Sequence, residues 1–226
     1  MKSTTTMRTR YIPDTPIHIT YRLYGSIPNL PLQKLHSSHR LRKLRLQEKF
    51  PADRRNEDRE SKQQYVAACL SAEVDHYLRY DQLLDRATTG PRYLQGAAAK
   101  RIIFDSWHHI ARQENLKIYA ISVMDNHVHV LLENRSEERL VSLIQVLENH
   151  KKFTATRLNR LHGMPGRRVW AEKEYSRTVR HGGFEHVLWY VLNNPIKAGL
   201  SDSPLDWIGN WWAPDLYEAF VLPRVA

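Results

Sequence analysis

Apolar residues in this chain change their period several times, and each change marks an element. Residues Ile17 to Tyr24 alternate and are rich in β-branched and aromatic side chains, as a strand requires, and Gly25 and Pro28 close it. Tyr65, Val66, Cys69, Leu70, Val74, Tyr77 and Leu78 recur at helical spacing, which predicts a helix over 62–84, broken by Thr88-Thr89-Gly90-Pro91. Ile102, Ile103, Trp107 and Ile110 share one face of a helix from about Ala97 to Gln113. Two strands follow, 116–123 and 127–132, and the short Asp125-Asn126 turn makes them a hairpin. Next comes a long helix with Glu137 and Glu138 in its first turn, where carboxylates suit the dipole. Leu140, Ile144, Leu147, Leu158 and Leu161 form its stripe, and Gly163 and Pro165 stop it. An extended piece over 175–179 and a Gly182-Gly183 break lead to a last helix, ending before Pro195, with Phe184, Val187, Leu188 and Val191 on its buried face.

The order strand, helix, strand, strand, helix, strand, helix is the split βαβ pattern. It predicts an α+β, ferredoxin-like fold with a central antiparallel sheet. Residues 31–90 exceed what that pattern needs. Over 31–60 they are charged, of mixed sign and weakly periodic, so the segment reads as a charged, mostly helical insertion after the first strand. The 226 residues otherwise suit a single domain.

Charge narrows the partners. Lys and Arg outnumber Asp and Glu by 34 to 24, a formal +10 that favours a polyanion. Most of it falls in two segments: residues 31–60 carry +4, and residues 150–180 carry +7. The second holds Lys151, Lys152, Arg157, Arg160, Arg167, Arg168, Lys173, Arg177 and Arg180, with Phe153, Trp170 and Tyr175 among them. Phosphates and unstacked bases would call for such a mixture. The competing reading is a solvated helix face followed by a charged loop. A single cysteine, Cys69, excludes intrachain disulfides and Cys-rich zinc sites and points to a reducing compartment. With no apolar run of signal-peptide or membrane-span length, the expected location is the cytoplasm, without a membrane partner.

Two places offer chemistry. His127 and His129 lie two apart in a strand, so both imidazoles share one face while Val128 and Val130 point to the other. Such a pair can chelate a divalent cation but needs a third ligand, and without one it is two ordinary polar side chains. On the last helix His186, Tyr190 and Asn194 are spaced by four and flank the buried stripe. They offer a nucleophile one turn from an amide oxygen. Their plain alternative is a boundary tyrosine and a helix-ending Asn before Pro195.

These residues carry a resemblance. The segment Val123-Met124-Asp125-Asn126-His127-Val128-His129-Val130 resembles the HUH motif (His, hydrophobic, His) of single-tyrosine transposases. Tyr190-Val191-Leu192-Asn193-Asn194-Pro195-Ile196-Lys197-Ala198-Gly199-Leu200 resembles the tyrosine helix of the REP-associated tyrosine transposases, a branch associated with repetitive extragenic palindromes. Between them, residues 169–180 resemble that family's aromatic-then-Tyr-x-Arg-x-x-Arg strand. Two departures stand out. Asp125 takes a turn position more often filled by Pro, and the 31–84 block is long for the first strand-to-helix connection.

The resemblance implies an HUH transposase fold and a metal-dependent nicking and rejoining of single-stranded DNA at hairpins, through a 5′-phosphotyrosine intermediate. In that scheme Tyr190 is the nucleophile, His127, His129 and Asn194 hold Mg²⁺ or Mn²⁺, and His186 is a possible base. Lys151, Lys152, Arg157, Arg160, Arg167, Arg168, Arg177 and Arg180 hold the DNA, and the protein acts as monomer or homodimer. Three rivals stand beside it. A histidine-triad hydrolase would need a third alternating histidine where Leu131 stands. The others are a domesticated hairpin-binding protein without turnover and a metal-dependent nuclease that uses water.

Overall fold

The computed structural model describes residues 11–136 and 138–216, which divide into two compact units, one of 11–24 with the described residues from 91 to 216 and one of 25–90. In the first unit, β1 (Tyr11–Ile12) pairs with the short β5 (Val141–Ser142). The main sheet contains β2 (Ile17–Arg22), β3 (Leu116–Val123), β4 (His127–Asn134), β6 (Tyr175–Thr178) and β7 (Asn210–Trp212). Its order is β6-β2-β4-β3-β7 with every neighbour antiparallel, so the split βαβ arrangement is present with β7 added at one edge. Helices α4 (Ala97–Glu114) and α5 (Leu143–Leu161) pack on one face; α6 (Phe184–Leu192) packs on the other.

Period 2 assigns the two faces. Ile17, Ile19 and Tyr21 of β2 and Val128, Val130 and Leu132 of β4 join Ile103, Trp107, Leu147 and Leu158 in the larger core. Fully burying one such aliphatic side chain contributes roughly 1.5–3 kcal/mol. Leu131 and Ala120 point the other way and meet Leu188, Val191 and Leu192 of α6. A bulge at Tyr119 makes this possible: Ile118 pairs with Leu132 but Ala120 with Leu131. The extra residue reverses the phase of β3, returning Ile121 and Val123 to the larger core.

Three expectations change. The helix predicted to start at the glutamates begins only at Leu143; Glu137 lies outside the described residues. Local side-chain bonds hold the preceding chain out of the helix. Asn134 accepts from the Ser136 amide and donates to Arg139 O, and the Ser142 side chain caps the helix by accepting from the Gln145 amide. Leu140 is therefore exposed and not part of the stripe. The last helix ends before Pro195 as expected, but already at Leu192, so Asn194 does not share the helix of His186 and Tyr190 and instead opens a separate turn, α7 (Asn194–Lys197). Trp170 does not present a face to bases: it is buried, and its indole N–H donates to Thr154 Oγ1 at 2.9 Å.

In the second unit, α1 (Asn29–Lys49), α2 (Ala52–Glu57) and α3 (Arg59–Asp85) form a helical hairpin. Asp58 caps α3 by accepting from the Glu60 and Ser61 amides. Ile27, Tyr80 and Leu84 make a small core, while α1 buries no residue and is tied to α3 through Lys43–Glu73 and Arg42–Asp75, each 2.7 Å. No described helix is long and apolar enough to cross a membrane. The remaining short element, α8 (Pro214–Leu216), follows β7.

Candidate metal and nucleophile site

Opposed residues of antiparallel strands share a face, so the register builds the site. Thr20 pairs with His129, and Arg22 with His127, while Ser122 faces His129 from β3. His18, two residues before Thr20, joins them and pairs with Arg177 of β6. The His127 and His129 rings lie 4.7 Å apart between centroids, and both are buried.

Each imidazole is oriented by a bond at its inner nitrogen. His127 Nδ1 donates to Asn126 Oδ1 at 2.6 Å, and because an amide oxygen only accepts, the ring's lone pair is on Nε2. His129 Nδ1 lies 3.0 Å from Thr20 Oγ1 and 3.1 Å from His18 Nε2. Nε2 is thus the nitrogen that each ring would offer to a cation, with Nδ1 held from behind as metal-ligating histidines usually are. Burial lowers the pKa of His129 well below the ordinary histidine range, with His18 and Lys197 adding to the effect. His18 is lowered to about 3 by burial, assisted by the charges of Lys197 and Arg177. His18 and His129 are thereby held neutral, the form in which an imidazole can donate a lone pair to a metal.

Asn194 carries the amide oxygen of the expected ligand set. It is fully buried, and its Nδ2 donates to Tyr190 O at 2.8 Å, a bond that closes the turn after α6. Its Oδ1 has no hydrogen-bond partner among the described residues. A buried carbonyl oxygen without a partner is costly, and a cation would satisfy it. Two imidazoles and an amide oxygen suit Mn²⁺ or Mg²⁺, with nitrogen favouring the former.

Tyr190, half-buried on α6, lies over this group. Its ring meets His18 edge-on at 5.8 Å and His129 at 6.3 Å between centroids, and Lys197 Nζ sits 3.5 Å from its centroid. His186, one turn earlier, is exposed and makes no hydrogen bond among the described residues. His18 and Lys197 are the neighbours that sequence reasoning missed. The strand alternation that placed Ile17 and Ile19 in the core put His18 opposite them, so its face was legible. Lys197 was quoted within the tyrosine segment but given no role.

A third missed residue holds the turn that carries the histidines. Lys100 is 2% exposed, and its ammonium donates to Leu94 O and Val123 O at 3.1 Å each and meets Asp125 Oδ1 at 3.4 Å. Trp207 donates to the same Val123 carbonyl at 3.1 Å, and Gly209 passes so close that a Cβ there would strike Val123 O. Asp125, at the position where the family more often has Pro, is thus half of a buried ion pair.

The basic segment divides. Lys152, Arg157, Arg160, Arg168 and Arg180 are exposed, and Arg157 and Arg168 lie over Phe153 and Tyr24. Lys151 is spent on Ala171 O, Glu172 O and the Glu174 carboxylate, and Arg167 on Asn159 Oδ1 and the Tyr93 ring. Arg177 is half-buried on the histidine face.

Comparison with known proteins agrees with this arrangement. Residues 92–194 match the family described as IS200-like transposase. No curated protein matches the chain in sequence. Among solved structures, a REP-associated tyrosine transposase bound to a REP hairpin shares the fold, with a TM-score of 0.53 at 12% identity, covering 98% of this chain and 88% of that one. A Deinococcus radiodurans R1 protein described as a transposase overlaps more loosely: TM-score 0.39, 14% identity, 84% of this chain and 97% of that one.

Proposed function

We infer that this chain, whose residues 92–194 match the family described as IS200-like transposase, nicks and rejoins single-stranded DNA at hairpins by way of Tyr190. The observation that carries the reading is Tyr190 standing over His129 beside Asn194, whose buried oxygen lacks a partner. Hairpin recognition is supported by the solved relative, which is bound to a REP hairpin. The sheet unit is the catalytic domain, residues 25–90 are an insertion within it, and the action is on cytoplasmic DNA.

The Tyr190 phenol loses its proton as its oxygen attacks the scissile phosphorus. The bond from phosphorus to the 3′-oxygen breaks, that oxygen takes up a proton, and the 5′-phosphate stays on Tyr190. Attack by another 3′-hydroxyl reverses the exchange, so no nucleotide triphosphate is needed. His127, His129 and Asn194 would hold a divalent ion, which would supply Lewis-acid polarisation of the phosphate. Lys197 brings positive charge to the nucleophile, where negative charge develops. His186 faces solvent, so its part is as a base reached through water or as a DNA contact. Lys152, Arg157, Arg160, Arg168 and Arg180 are the exposed cations for the DNA backbone, and Phe153 is an exposed ring for stacking.

The test is a covalent adduct. Wild-type protein, labelled single-stranded hairpins and Mn²⁺ should give a species that survives denaturation, and Tyr190→Phe should abolish it. Cleavage persisting in Tyr190→Phe would refute the tyrosine mechanism.

A further inference from the structure

The helical unit carries a feature that the nicking chemistry does not use. Along α1, Lys34, Ser38, Arg42 and Arg45 follow one another at three- and four-residue intervals, and along α3 so do Ala72, His76, Arg79, Leu83 and Arg86. These two rows line a groove of about 700 Å³ between the helices. From Lys34 to Arg45 it runs about 16 Å at the helical rise.

Its charge is one-sided. Residues 25–90 hold twelve Lys and Arg against nine Asp and Glu, a nearly balanced surface. The groove takes five of the cations, Lys34, Arg42, Arg45, Arg79 and Arg86, against one carboxylate, Asp75. That carboxylate is already shared, bonded to Arg42 at 2.7 Å and to Arg79 at 3.2 Å. Lys34, Arg45 and Arg86 are exposed and enter no ion pair among the described residues. Five like charges in one concavity repel each other, and a polyanion lying along it would relieve the repulsion. Ser38, His39 and His76 lie between the cations, alongside Leu35, Ala72 and Leu83, so it is the excess of positive charge that points to a polyanionic backbone.

We propose that this groove seats the phosphate backbone of DNA, as a second contact on the helical insertion. The proposal rests on the reading of the chain as a DNA-processing protein, but it concerns affinity and not the tyrosine. Its partner is identified by charge alone, so sequence selectivity is not expected from it.

The experiment measures binding of the full chain, in EDTA, to a thymidine homopolymer and to a duplex without hairpins, across a salt series. The triple variant Lys34→Gln, Arg45→Gln, Arg86→Gln should weaken binding at least about tenfold. It should also reduce the slope of log affinity against log salt by about 2–3 on duplex, or about 2 on single strand. The probe showing the change identifies which form the groove takes. A charge-matched triple away from the groove, Arg40→Gln, Lys49→Gln, Lys62→Gln, should change the slope much less. Equal effects of the two triples, or an unchanged slope in the first, would overturn the proposal. Adduct formation at Tyr190 is scored separately, so failure of the nicking chemistry would leave the salt result readable.

Discussion

His150 and His129 are both fully enclosed, yet the two faces of the sheet use an imidazole in opposite ways. On the α4–α5 face, Trp107 donates to the Tyr21 hydroxyl at 2.8 Å, that hydroxyl donates to His150 Nε2 at 2.6 Å, and His150 Nδ1 donates to Ser106 Oγ at 2.9 Å. Both ring nitrogens are consumed by the core, which makes His150 a structural link among two helices and a strand. On the α6 face, the hydrogen bonds of His129 with Thr20 and His18 both fall on Nδ1. A buried histidine is therefore not a functional signal by itself. What distinguishes the two is which nitrogen the surrounding chain has used.

That contrast predicts different losses. His150→Ala should cost about 3 kcal/mol in urea denaturation, from a cavity and a stranded Tyr21 hydroxyl, while Mn²⁺ affinity in calorimetry stays within about threefold. His129→Ala should do the reverse: Mn²⁺ affinity falls on the order of 100-fold, with a smaller loss of stability. If both variants lose metal equally, the contrast between the faces fails. A third change probes the support behind the ligands. Lys100→Met removes the ammonium that gathers Leu94 O, Val123 O and Asp125, and should weaken Mn²⁺ binding about tenfold. Lys100→Arg, which keeps the charge but not the compact geometry, should recover only part of it.

Acid gives the smallest and cleanest difference. Burial, with a contribution from Lys151, lowers His150 from the ordinary 6.5 to about 3, so the unfolded chain takes up its proton first. Stability from this group is complete above the unfolded value and is lost as pH falls from there toward the folded one. Between about pH 7 and pH 6 the loss should be about 0.7 kcal/mol. His150→Gln should lack that increment when the two pH profiles are subtracted.

The sequence made some of this legible because parity in a strand is rigid. His127 and His129 had to share a face opposite Val128 and Val130, and the helical spacing of Phe184, Leu188 and Val191 fixed where Tyr190 would stand. The ferredoxin-like order followed from counting elements. What stayed hidden depends on partners distant in the chain. Lys100 reads as a surface cation until Val123 and Asp125 are folded against it, and Lys151 reads as a DNA contact until Glu174 is. The late start of α5 was hidden for a related reason: the side chains of Asn134 and Ser136 compete locally with helical hydrogen bonds.

The bulge at Tyr119 has a consequence for how the chain can change. A sheet has two sides, and every residue beyond a bulge owes its side to a count being odd or even. Were the present chain to pair regularly through Tyr119, Ile121 and Val123 would exchange places with Ala120 and Ser122, setting aliphatic bulk beside His129 and a hydroxyl into oil. Removing one residue at the bulge restores a regular ladder and preserves that order, whereas adding one inverts it unless a second bulge forms. The site is thus guarded by arithmetic as well as by chemistry, and single-codon insertions across 117–121 should be far less forgiving than deletion of Tyr119.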